Sequence, residues 1–196
     1  CGTIQYQTHI QDIGWQGWKM KDDTSGTSGQ SKRLEAIRIK LTDELAENYD
    51  IYYRVHAQSF GWLGWAKNGE SAGTAGYSYR LEAIEVKLVE KDGKAPGSTQ
   101  DAYRQRYVSY QTHVQDIGWQ GIKYDGEEAG TSGQSKRLEA INISLSNPLY
   151  SGSIEYQTHV QDVGWQGWKA NGQMAGTSGQ SKRLEAIRIK LTGEMA

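Results

Sequence analysis

Apolar and polar residues alternate along Ile4-Gln-Tyr-Gln-Thr-His-Ile-Gln. Ile4, Tyr6 and Ile10 take one parity together with Thr8, and Gln5, Gln7, His9 and Gln11 take the other. Period two predicts a half-buried β-strand, and the β-branched Thr8 suits its apolar face. A second strand is predicted over Gly14-Trp15-Gln16-Gly17-Trp18-Lys19, opened by glycine. A third is predicted over Ile37-Arg38-Ile39-Lys40-Leu41, with Ile37, Ile39 and Leu41 pointing one way and Arg38 and Lys40 the other. A turn separates the second and third strands. In later copies of this pattern it carries the hairpin dipeptides Asn68-Gly69, Asp125-Gly126 and Asn171-Gly172, which favour left-handed backbone. The first copy has the weaker Lys21-Asp22-Asp23-Thr24.

The pattern is a repeat. Tyr-x-x-His-x-Gln-x-x-Gly-Trp occurs at Tyr6–Trp15, Tyr53–Trp62, Tyr110–Trp119 and Tyr156–Trp165. Arg-Leu-Glu-Ala-Ile follows at Arg33, Arg80, Arg137 and Arg183. Both landmarks step by 47, 57 and 46 residues, so the repeat core is fixed in length and the joints absorb the variation. Repeat 1 is assigned to residues 4–46, repeat 2 to 50–93, a linker to 94–107, repeat 3 to 108–148 and repeat 4 to 154–196. The linker holds Ala95-Pro96-Gly97-Ser98, which is turn chemistry.

The predicted fold is all-β: four tandem repeats of about 47 residues, each antiparallel and pseudo-symmetric with the others. One repeat is too small to bury a sufficient core, so neighbours must share apolar faces. Repeats 1 and 4 match without a gap at an offset of 150 residues, and repeat 2 is the outlier. This suggests a three-repeat unit resembling a β-trefoil or β-prism. A small propeller and an open array remain alternatives.

Composition narrows the function. Net charge is −1 with no local basic excess, so no nucleic-acid partner is expected. No apolar run reaches the roughly 18 residues of a membrane span, and the chain is expected to be soluble, without membrane insertion. The reading expects no signal peptide, with Cys1 marking a trimmed end. A single Cys allows no intrachain disulfide. The aromatic pool is 7 Trp and 12 Tyr against 1 Phe, so nearly every ring carries a polar handle suited to half-buried and binding surfaces.

The candidate chemistry recurs with the repeat. His9, His56, His113 and His159 sit on the polar parity of the first strand. No local pair of donors converges as a metal site requires, so neither metal nor cofactor is expected. Asp12, Asp116 and Asp162 follow that strand, where repeat 2 has Ser59. A glycosidase needs an acid and a base flanking a cleft, and four short repeats do not each supply one. No nucleophile–base arrangement is suggested either, so no catalytic residue is assigned and the chain is expected not to be an enzyme. Arg33/Glu35, Arg80/Glu82, Arg137/Glu139 and Arg183/Glu185 are spaced to share a strand face and read as structural ion pairs. The Gly-Thr-x-Gly segments lack the Lys-Ser/Thr of a phosphate loop and read as tight turns.

Trp15, Trp62, Trp119 and Trp165 fill one position in every copy. Two readings of them stand level: a core pin for each repeat, or a face that stacks on sugar rings while Gln16, Gln120, Gln166 and the neighbouring Asp and His bond hydroxyls. The second position, Trp18, Trp65 and Trp168 with Ile122 in repeat 3, is expected in the core because it accepts Ile.

The succession Tyr-x-x-His-Val-Gln-x-x-Gly-Trp-Gln, Asn/Asp-Gly, Ala-Gly-Thr-x-Gly and Arg-Leu-Glu-Ala-Ile-x-Ile-x-Leu resembles the ChW family, clostridial hydrophobic repeats with a Gly-Trp signature. The resemblance covers all four copies. It implies a secreted or surface-attached protein of a Gram-positive bacterium, where such repeats accompany enzymes and adhesion modules. It brings no catalytic residue. The function expected is a non-catalytic, adhesive module that binds a polysaccharide or a glycoprotein glycan. The alternative is a scaffold that engages other surface proteins.

Overall fold

The computed structural model describes residues 2–146 and 151–196. Cys1, and with it the reading as a trimmed end, lies outside the described residues, as does the end assigned to repeat 3 at residue 148. Repeat 1 comprises β1 (Ile4–Ile10), β2 (Gly14–Trp15), β3 (Lys19–Met20) and β4 (Leu34–Leu41), followed by a six-residue helix α1 (Asp43–Asn48). Repeat 2 comprises β5 (Tyr49–Ala57), β6 (Gly61–Trp62), β7 (Ala66–Lys67), β8 (Ala72–Ala75) and β9 (Leu81–Glu90), and β10 (Tyr103–Gln105) follows. Repeat 3 comprises β11 (Val108–Val114), β12 (Gly118–Trp119), β13 (Lys123–Tyr124) and β14 (Leu138–Leu145). Repeat 4 comprises β15 (Ile154–Val160), β16 (Gly164–Trp165), β17 (Lys169–Ala170), β18 (Ala175–Gly176) and β19 (Leu184–Leu191). The fold is all-β with four antiparallel groups matching the four repeats, and no closed barrel forms among the described residues.

Each repeat is centred on its first strand. β1 pairs with β4 along one edge, Tyr6 opposite Ile39 and Thr8 opposite Ile37, with a bulge after His9. Along the other edge it pairs with β2 and β3 in succession. The single second strand expected from sequence is therefore two short ones. Gln7 bridges the gap, its Nε2 donating to the Gln16 carbonyl at 2.9 Å. Gln111 and Gln157 do the same to Gln120 and Gln166. Repeat 2 has the same split with Arg54 at that position. The resulting bulge turns the second Trp position away from the repeat. Ile122 is 56% exposed, and Trp18 and Trp168 are also exposed, so the core position expected for them is wrong. Trp65 alone is covered, at 8% exposed. The long joint lies on it, its Ser98 carbonyl accepting from the Trp65 N–H at 2.9 Å. That joint, read as a linker, ends in β10, which runs parallel to β8.

The chain divides into two compact units, Cys1–Gln105 and Arg106–Ala196. Each holds two repeats joined by the same device. In the first unit β8 adds to the free edge of β4, Ala36 opposite Gly73 and Ile37 opposite Ala72. In the second, β18 adds to β14, Ala140 opposite Gly176 and Ile141 opposite Ala175. Glycine is required at these joints. Gly73 has φ +124, and a Cβ there would lie 2.4 Å from the Glu35 carbonyl oxygen; Gly176 meets Glu139 in the same way. The later repeat also sends a tyrosine into the earlier one. Tyr53 and Tyr156 are fully buried, their hydroxyls donating to the Glu70 and Gln173 carbonyls. The Tyr156 hydroxyl in turn accepts from the Ile143 N–H at 3.0 Å. The core of the first unit gathers Ile39 of repeat 1 against Ile51, Tyr53, Val55, Leu63 and Ala72 of repeat 2. Ile143 meets Ile154, Tyr156 and Ala175 in the second. Repeats thus associate in twos, because what closes a repeat is the hairpin of the next one.

Candidate functional site

The bulge after the first strand and the glycine that follows it set the site. Asp12, Ser59, Asp116 and Asp162 all have φ between 58 and 65. These short polar residues tolerate left-handed backbone where other side chains are strained. The Asp carboxylates point outward and pair with Lys32, Lys136 and Lys182 at 3.1–3.5 Å. Repeat 2 has Tyr79 in place of that lysine and Ser59 in place of the acid. The Asp position is accordingly a turn residue with an exposed ion pair.

Behind the turn, a histidine, a glutamate and an arginine meet in every repeat. His9 Nδ1 lies 3.2 Å from Glu35 Oε2, and Arg33 Nε donates to Glu35 Oε1 at 2.9 Å. The same pairs are His56–Glu82–Arg80, His113–Glu139–Arg137 and His159–Glu185–Arg183, at 2.8–3.2 Å. The indole of the Gly-Trp pair stands edge-on to the imidazole, at centroid distances of 5.4–5.5 Å for Trp15, Trp62, Trp119 and Trp165. The clusters fall into two kinds. Glu35 and Glu139 are sealed, each with a side chain 6% exposed, because the next repeat's glycine segment lies over them. Glu82 and Glu185, in the second repeat of each unit, are about a third open.

The indoles at the first Trp position lie at the surface. Trp62 is 42% exposed, Trp119 38% and Trp165 40%, and Trp15 is half-buried. Ile13, Ile117 and Val163 are exposed beside them. One face of the indole is occupied in three repeats. The Arg38 guanidinium lies 4.0 Å from the Trp15 centroid, Arg188 4.1 Å from Trp165 and Arg54 4.8 Å from Trp62. Such stacking holds a cation over the negative ring face. Repeat 3 has Asn142 in the place of that arginine. Sequence reasoning did not find this role for the arginines. Its only trace was the shared parity of Arg38 and Lys40, which puts Lys40 over Trp18 as well.

The glutamines are not free to contact a ligand through their carbonyl oxygens. Gln16, Gln120 and Gln166 each accept from a glycine N–H, of Gly26, Gly130 and Gly176, at 2.8 Å. Thr8, Thr112 and Thr158 donate to the same oxygens at 3.2–3.5 Å. Their work is to hold the Gly-Thr-x-Gly segment against the strand. Repeat 2 dispenses with it, and Leu63 enters the core instead.

Two cavities adjoin these clusters. In the second unit about 450 Å³ opens beside His113, Asp116, Arg137, Glu139 and Ser178, with Ser178 Oγ 3.4 Å from His113 Nε2. In the first unit about 470 Å³ opens between Trp62, Trp65, Arg54, Gln100 and Arg104. Among the described residues no group of His, Cys, Asp and Glu could hold a metal ion, and no helix is long and apolar enough to cross a membrane.

The fold and this recurring constellation define a tandem β-repeat protein whose repeats close in pairs. The family model described as Clostridial hydrophobic W matches residues 9–43, 56–90, 113–147 and 159–193, and the chain belongs to that ChW family. No curated protein and no solved structure matches it.

Proposed function

We propose that the chain is a non-catalytic, adhesive module that binds carbohydrate, acting outside the cell or on its surface. ChW repeats are frequent in surface proteins, which supports that location. One observation carries the reading. Each repeat sets an indole, exposed in repeats 2, 3 and 4 and half-buried in repeat 1, against a His–Glu–Arg cluster, and the cluster itself is open in repeats 2 and 4. An indole face offers apolar stacking to the C–H face of a pyranose, and the adjacent groups match its hydroxyls. At His113, the side chains of Asp116, Arg137 and Ser178 line one cavity, next to the Trp119 indole and with Asn142 in the place of the stacking arginine. Each site would be weak alone, and several on one chain gain strength against a polymeric glycan through effective concentration.

The test is a glycan array followed by calorimetry on the best polymer. Trp119→Ala is expected to weaken binding by about two- to tenfold, the value of one aromatic contact. Replacing Trp15, Trp62, Trp119 and Trp165 together is expected to abolish it. The reading fails if no glycan binds, or if binding survives the fourfold replacement.

A second reading, a scaffold for other proteins, draws on the uncovered apolar rows of β9 and β19, where Val86, Leu88 and Ile189 are exposed. Protein capture from culture supernatant that persists in excess free sugar and without the four indoles would favour it.

A further inference from the structure

β4 and β19 have the same eight residues, Leu-Glu-Ala-Ile-Arg-Ile-Lys-Leu. Their surroundings differ completely. On β4 the row is covered by repeat 2: Ala36 is fully buried and Ile39 is 5% exposed. The Gly69 N–H donates to the Ile39 carbonyl at 2.7 Å, β8 extends the sheet, and Arg38 Nε donates to Ser71 Oγ at 2.8 Å. On β19 the same row is bare, with Ile187 42%, Ile189 52% and Leu191 42% exposed. β19 pairs with β15 on one edge, and its other edge carries no ladder among the described residues. The row has opposite parity to Arg188 and Lys190, which lie over Trp165 and Trp168.

Repeat 1 holds the complementary surface already shaped. Its segment from Asp22 to Gly26 corresponds to Gly69–Gly73 of repeat 2. Gly26 has φ +128 where the docked Gly73 has +124, and Asp22 has φ +67 where Gly69 has +93. The Gly26 N–H is held by Gln16 at 2.8 Å, the same bond that holds the docked Gly176 to Gln166. Yet a Cβ on Gly26 would meet only the Leu34 side chain, at 3.6 Å. Among the described residues no strand of the first unit lies against it as β4 lies against Gly73.

We propose that β19 is the seat for repeat 1 of a second copy of this chain. Transferred from the β4 interface, the fit brings Gly26 opposite Ala186, Thr24 beside Arg188 and Asp22 beside Lys190. At β4 the Gly69 position has room, the nearest Lys40 atom being 3.7 Å from a built Cβ. An aspartate there adds a second carboxylate to Lys190, which Glu155 already holds at 3.0 Å. β9 exposes a similar row but has Glu85 where β4 and β19 have arginine, and Arg54 holds that Glu85 at 2.7 Å. A contact between two different surfaces of identical chains is head to tail, so copies add into a ring where the rotation closes and into an open filament where it does not.

Sedimentation velocity over a concentration series of the full chain tests this. Oligomers of the chain that grow in with concentration are expected, as a ladder of species or as one closed ring. Ile189→Lys is expected to leave monomer only, with an unchanged thermal melt showing that the chain still folds. Asp22→Lys and Lys190→Asp are each expected to weaken association by about tenfold or more, because like charges then face each other. The double variant restores the pairing and is expected to recover association. The proposal is overturned if the chain stays monomeric up to its solubility limit, if Ile189→Lys assembles like the parent, or if the double variant behaves no better than the single ones.

Discussion

Asp50 is a carboxylate with no exposed surface, and repeat 2 alone has one at this position. Burial by itself would raise its pKa. Four partners outweigh that. Lys67 and Lys91 lie 2.8 and 3.1 Å away, Asn68 Nδ2 donates at 2.7 Å and the Asp92 N–H at 3.0 Å. Together they hold the carboxyl well below the usual carboxylate range. The folded chain therefore binds fewer protons here than the unfolded chain does in acid. The stabilisation is complete above the ordinary value of 3.8 and drains away as pH falls below it. Urea titration at neutral pH and again near pH 3 checks this. The first unit is expected to weaken in acid, and Asp50→Asn to cost about 3 kcal/mol at neutrality while losing most of the acid sensitivity. The low end of the usual range applies because both lysines reach water. Tyr53 sets the opposite limit. Burial pushes its hydroxyl from 10.0 up to about 12. The unfolded phenol ionises first, so stability falls as pH rises from 10 through 12. Tyr53→Phe is expected to flatten that alkaline loss in urea titrations, at a cost of about 1 kcal/mol near neutrality for the lost hydrogen bond.

At the scale of the element, Gly26 and Gly73 separate two contributions to one joint. Their φ values, +128 and +124, are nearly equal, so an alanine suffers the same backbone strain at either place. A Cβ at position 73 also drives into the Glu35 carbonyl at 2.4 Å, whereas at position 26 it meets a flexible leucine. Gly73→Ala is expected to destabilise the dilute chain by about 1–3 kcal/mol more than Gly26→Ala, the cost of overpacking. Comparing their urea midpoints at low concentration measures it. The same elements show what the sequence could disclose. Alternation along Ile4–Ile10 and Ile37–Leu41 placed those strands, because side-chain parity is local. The split between Gly14-Trp15 and Lys19-Met20 is hidden in the sequence, since it lies in a one-residue offset of their pairing with β1, His9 opposite Trp15 but Tyr6 opposite Lys19. The second Trp position is expected in the core because it accepts Ile122, and the bulge turns it outward in repeats 1, 3 and 4. The His–Glu–Arg clusters could be read as separate residues with a common period. That His9 meets Glu35 depends on β1 pairing with β4 in register, His9 opposite Ala36, which spacing alone does not specify. Asp12 and Gln16 read as ligand donors because both are polar and recurrent. Each also has a local role that the sequence does not show, Asp12 in a left-handed turn and Gln16 on the Gly26 N–H.

For the whole molecule, the decisive fact is that the first repeat of each unit is finished by the second. Ile39 and Ala36 are sealed by residues that arrive from repeat 2, and the buried tyrosine at the centre of that core is Tyr53 rather than Tyr6. A single repeat of about 47 residues buries too little surface alone to offset its conformational entropy. The two-repeat unit should therefore be the smallest part that folds. Residues 1–105 and 106–196, expressed separately, are expected to give cooperative thermal melts with near-ultraviolet signals from ordered Trp and Tyr. Residues 1–48 are expected to give neither, although they carry every strand of repeat 1. A cooperative melt of that fragment at the temperature of the longer one would mean that a single repeat is self-sufficient. The exposed row on β19 would then be an ordinary outer face, because covering β4 would no longer be what holds a repeat together.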